Sequence, residues 1–167
     1  MAVVNISYAA TATITVAPEN VASSTTFVAG VESNVIDNTG NKYVDALVSG
    51  RWRSGTTPTA NTSVLIYVFS VRDDTPNYPD VFDGTSSAET LTSAGVGRGF
   101  LKLAAIMDVD TNTTGRDYDV LFSVAQLFGG AMPLKWGLFI AHNTGVNSDS
   151  TAGNHVWKYT GITYTLT

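Results

Sequence analysis

The sequence predicts an all-β fold: a single-domain, two-sheet antiparallel sandwich, jelly-roll-like, with about eight strands over residues 1–167. Three observations carry this. Apolar residues recur with a period of two, no stretch is periodic enough for a long amphipathic helix, and turn-forming residues punctuate the chain at short intervals. With no helices to make βαβ crossovers, the strands are expected to close as an antiparallel two-sheet sandwich.

The first element is the cleanest. From Val4 to Val16 the even positions Val4, Ile6, Tyr8, Ala10, Ala12, Ile14 and Val16 are apolar, and Asn5, Ser7, Thr11, Thr13 and Thr15 alternate with them. That pattern predicts one strand with one face on a core and the other in water. Further strands are expected at Thr25–Ile36, Tyr43–Trp52, Ser63–Val71, Phe100–Val109, Tyr118–Val124, Leu134–His142 and His155–Leu166. Within Ser63–Val71, "VLIYVFSV" is apolar on both faces, as a central strand covered on both sides would be. "SVAQLFGGAMP" has room for one helical turn, stopped by Gly129, Gly130 and Pro133. Three long connections remain, "RSGTTPTANT", "RDDTPNYPDVFDGTSSAETLTSAGVGRG" and "NTGVNSDSTAGN". The second is far longer than a usual loop, a length that goes with contact-making or function.

Composition narrows the function. Hydrophobic residues make up 44% of the chain, but charged residues only 14%, against roughly 25% in an ordinary soluble domain. Threonine, serine and asparagine supply the polarity, and their side chains leave water at less cost than full charges. This suits a protein covered by other subunits, and equally one with threonine-lined strand faces. The net charge is −5 and the nine basic residues are scattered, so the clustered basic stripe that displaces counterions from nucleic acid is missing. No apolar run approaches the ~20 residues that span a bilayer. No basic region precedes the apolar start, so a secretory signal is not expected and cytoplasmic synthesis is. The N-x-S/T triplets at Asn5, Asn61 and Asn112 are then expected to stay unglycosylated. With no cysteine, disulfides and thiolate chemistry are excluded.

Candidate sites are few. A hairpin of Leu134–His142 with His155–Leu166 would set the only two histidines opposite each other at its open end. Zinc needs at least three protein ligands, and only Asp149 offers a third. We therefore read the histidines as the end of a hairpin. "DVDTNTTGRDYD" places Asp108, Asp110, Asn112 and Asp119 at the first, third, fifth and twelfth positions of a calcium loop. Its glycine, Gly115, comes two places late, its last ligand is not glutamate, and its flanks read as strands, so these residues are weak calcium candidates. The acidic connection holds Asp73, Asp74, Asp80 and Asp83, stiffened by Pro76 and Pro79, a second weak place for calcium. Paired carboxylates also raise glycoside hydrolysis, but no acid pair flanks an aromatic cleft signature. No nucleophile, base and orienter can be assembled, so no enzyme and no cofactor is expected. Trp136 and Trp157 fall at alternating positions of apolar strands and are assigned to the core.

Three segments, "YVDALVSGRWRSGTTPTANTSVLIYVFSVRDDTPNYPDVFDGT", "LFGGAMPLKWGLFIAHNTG" and "NHVWKYTGITY", together resemble small virion structural proteins of tailed bacteriophages. The resemblance covers roughly residues 43–166. It implies a β-sandwich head decoration (cement) protein on the capsid surface, assembled in the bacterial cytoplasm. The implied partners are the major capsid protein and copies of itself, as a homotrimer or other closed oligomer. It transfers no site residue. Contacts are expected from Met1–Val16, as a strand or arm, or from the Asp73–Gly84 loop. The alternative is a carbohydrate- or receptor-binding module of a tail or head fibre, which would expose its tryptophans.

Overall fold

The computed structural model describes residues 3–73, 75 and 77–166. Two antiparallel sheets face each other. The first runs β1 (Val4–Tyr8), β11 (Val156–Leu166), β5 (Asp45–Arg53), β9 (Asp117–Ser123), with β2 (Ala12–Thr13) also paired to β11. The second runs β7 (Ser87–Thr90), β3 (Ala29–Glu32), β10 (Lys135–His142), β6 (Thr62–Ser70), β8 (Lys102–Val109), with β4 (Ile36–Asp37) added to β10. The two-sheet sandwich read from the sequence is the fold.

The core between the sheets is aromatic and β-branched. Trp52, Trp136, Trp157, Val48, Ile66 and Leu138 are buried there. A β-carbon on Gly50 would stand 2.2 Å from the Trp157 ring, so only glycine lets that indole lie flat on β5. A second cluster covers the outer face of the second sheet. Phe69, Phe139 and Ala141 point away from the first core and pack under Phe82, Leu91 and Leu101 of the 71–101 connection. This is why β6 and β10 are apolar on both faces: each lies between two cores.

The long connection therefore serves as a lid. It carries two elements absent from the sequence reading, β7 and a helix α1 (Ala94–Phe100). "SAET" has too little apolar content to signal a strand; its register with β3 comes from backbone pairing. The α1 sequence "AGVGRGF" is a poor helix former, started by the Ser93 side chain accepting from the Val96 N–H. The single turn expected after Ser123 is the helix α2 (Val124–Leu127), again capped by a serine.

Three expectations need correction. Thr25–Ile36 is two short strands, β3 and β4, and not one. Leu134–His142 and His155–Leu166 are not a hairpin: β10 and β11 lie in different sheets, and the 143–155 connection crosses between them. Val4–Val16 is not one strand with its even positions on a core. Tyr8 stands opposite Ile162 but Ala12 stands opposite Tyr159, so four steps on one strand match three on the other. That extra residue is a bulge, and a one-residue slip moves the following side chains to the other face. Ile14 consequently enters the core, while Val4, Ile6 and Tyr8 point to solvent.

Candidate functional site

The histidine corner is structural in geometry. His142 and His155 are buried, and their rings lie 5.2 and 6.1 Å from that of Trp52. His155 Nδ1 accepts from the Arg53 backbone N–H at 3.2 Å, which leaves the proton on Nε2, 3.1 Å from the Asp149 carbonyl. His142 Nε2 faces the Val21 carbonyl at 3.0 Å, so it donates there and Nδ1 accepts from Thr144. Burial, above all, holds both imidazoles below their usual pKa. All four ring nitrogens are thereby engaged in fastening loops. The polar run 143–155 is zipped to residues 18–24 by further bonds, among them Val21 N–H to Ser148 Oγ and Gly145 N–H to Ser23 Oγ. Asp149, the suggested third ligand, accepts from Thr151 N–H and Asn154 Nδ2 within its own turn.

The calcium candidates do not converge. Asp108 sits on β8 opposite Ser63, and Asp119 on β9 pairs with Arg51 at 3.0 Å across to β5. Asp110 takes Arg116 at 3.3 Å and the Tyr118 hydroxyl, and Asn112 is an exposed turn residue. Among the described residues no group of three or more His, Asp or Glu side chains is placed to hold a metal ion.

In the acidic connection Asp74 and Pro76 lie outside the described residues. Asp80 fastens the start of α1 by accepting from the Thr92 N–H and hydroxyl, and Asp83 accepts from the Thr85 N–H. The residue sequence reasoning missed is Glu32. It is fully buried at the end of β3 and accepts from the Gly84 N–H at 2.8 Å and the Asp83 N–H at 3.2 Å. Burial pushes its carboxyl up to about 7, against the opposing pull of those two amides. Its signal was present: a lone acid in the middle of the apolar run "FVAGVESNVI". A charge there needs a dedicated partner.

All three tryptophans are buried, with none available to stack on a sugar. The exposed apolar residues gather elsewhere. Val4, Ile6 and Tyr8 of β1 stand opposite Leu166, Tyr164 and Ile162 of β11, on one side of a two-stranded ribbon. Five of these six are 60–73% exposed. The other side of the ribbon shows Asn5, Ser7, Thr163 and Thr165, so neither side carries a charge. Ile6, Tyr8, Ile162 and Tyr164 also form part of the lining of a groove of about 760 Å³, closed by Val44, Gln126 and the Gly129–Gly130 turn. Asp45, the one charged residue of that groove, accepts from Ala46 N–H, Ala125 N–H and the Ser123 hydroxyl.

Among the described residues no helix is long and apolar enough to cross a membrane. Comparison with protein-family models, curated sequences and solved structures finds no match to this chain, and a functional reading therefore stands on its own residues and their geometry.

Proposed function

We propose that this chain is a virion structural protein of a tailed bacteriophage: a head decoration, or cement, protein that binds the capsid lattice and stabilises it without catalysis. The observation that carries the reading is the uncharged apolar ribbon of β1 and β11, a bare surface at the upper end of what a single domain presents and of the kind that marks a contact site. The resemblance of residues 43–166 to small phage virion proteins supplies the setting. In that setting each copy contributes a modest interface to the major capsid protein and to its neighbours, and hundreds of copies add up to a stabilised shell. The corner of buried histidines and the Glu32 clamp then serve rigidity, which keeps the ribbon presented at little entropic cost on binding.

The test is the copy number of this chain in purified particles from its source, by quantitative mass spectrometry. A number comparable with the major capsid protein supports the shell role. A handful of copies moves the chain to the tail or a fibre, and absence from particles ends the virion reading.

A further inference from the structure

We infer that the apolar side of the β1–β11 ribbon is the surface by which two copies of this chain associate about a twofold axis. The inference rests on reading the ribbon as a working surface, and it names the partner. Three observations converge on a second copy. The first is area. Val4, Ile6, Tyr8, Tyr164 and Leu166, with Val3 and Val44 beside them, expose on the order of 600 Å² of apolar surface, the upper end of what monomers present. A stable interface covers roughly 800 Å² on each partner, so one such patch against another nearly suffices.

The second is shape. The ribbon is one wall of a groove on the same chain, which its own Ile6, Tyr8 and Tyr164 line. Under a twofold rotation a wall and the groove beside it face the groove and the wall of a second copy, so one patch can serve both partners. A partner of different sequence would need to supply both halves of that match. The third is charge. A chain of net charge −5 repels its copies, and the ribbon itself carries no charge, while the groove holds only Asp45, whose carboxylate is already engaged by Ala46, Ser123 and Ala125. The β1 edge adds to this. Ala9 N–H bonds inward to the Gly161 carbonyl, and by alternation the N–H and C=O groups of Val4, Ile6 and Tyr8 face outward from the sheet. No charged or proline residue guards that edge.

The experiment is light scattering on size-exclusion fractions of the full chain at micromolar concentration, beside the double variant Ile6→Thr, Tyr164→Thr. Threonine keeps strand propensity at exposed positions, and circular dichroism with a melting curve checks the fold. We expect twice the monomer mass for the natural chain and the monomer mass for the folded variant. A second measurement uses the lack of cysteine. An Ile6→Cys chain under mild oxidation is expected to form a covalent dimer, and a Leu121→Cys chain, whose thiol would sit on β9 away from the ribbon, is not. A monomer in the natural chain overturns the inference, as does a dimer that survives the double variant, or a trimer. A monomer that still coats capsids would overturn self-association and leave the virion reading intact, whereas a dimer absent from particles would do the reverse.

Discussion

Strands β10 and β1 make the most instructive pair in the molecule. In β10 every residue from Trp136 to His142 is buried; in β1 none is. Yet β1 has the cleaner alternation of the two. An alternating strand reports only that its two sides differ, and which side meets a core is decided by register against the neighbouring strand. In β1 that register is set by a bulge several residues further on, which turns the apolar side outward. In β10 the absence of alternation carries the stronger message: a strand apolar on both sides must be covered on both sides, and it is, by the sandwich core and by the 71–101 lid.

The comparison can be broken first by truncation. Phe139→Ala in β10 should cost about 3–5 kcal/mol, through lost transfer energy and the cavity left against Phe82. Ile6→Ala in β1 should stay within about 0.5 kcal/mol in the monomer. Urea midpoints of the two variants measure both, and equal losses would mean that β1 is covered within one chain.

The lid over β10 should respond to pH through Glu32. A carboxyl whose folded pKa is about 7 binds its proton more tightly folded than unfolded, so its contribution to stability falls as pH rises from about 4.5 to 7 and is flat above. The histidines oppose this. Held below their usual pKa, they remove stability as pH falls below about 6.5. Glu32→Gln should therefore remove about 2 kcal/mol of pH dependence between pH 8 and pH 5 and leave acid loss from the histidines unmasked. Chemical denaturation at several pH values checks it, and an unchanged profile would place the titration elsewhere.

A smaller effect sharpens the role of the bulge. Deleting Ala10 leaves three steps on each strand between the Tyr8–Ile162 and Ala12–Tyr159 pairs, so the bulge should close while Val4, Ile6 and Tyr8 keep their partners and their outward side. Binding of a dye that reports exposed apolar surface should hardly change, and a several-fold drop would mean that β1 slips by one residue against β11. Smallest of all, Arg51→Ala removes the exposed pairs to Asp117 and Asp119 and should leave the melting temperature unmoved, because such pairs are screened by water and salt.

Much of the fold was legible because it follows from side-chain periodicity. Tyr43–Trp52, Ser63–Val71, Tyr118–Val124 and His155–Leu166 name strands whose ends shift by only one or two residues in the structure. What was not legible depends on backbone or on distance. The split of Val4–Val16 comes from one extra residue with no side-chain signature. β7 exists because β3 offers it hydrogen bonds, and α1 because Ser93 caps it and Phe100 and Leu101 anchor its end. The hairpin expected of the two histidine-bearing strands failed because adjacency in sequence says nothing about which sheet a strand joins. The histidines were read as the open end of a hairpin; they stand instead at a corner between the two sheets. Glu32 was visible as a misfit and was passed over.

The strand order of the first sheet has a consequence in time. β11 lies between β1 and β5, so residues 4–8 have no neighbour to pair with until residues 156–166 have been made. On the ribosome β1 must wait through most of the chain's synthesis, apolar side and both edges open, for the strand that seats it. The sheet closes late and through contacts distant in sequence, which places its folding among the slow β topologies and its greatest exposure to misassembly before the ribbon exists.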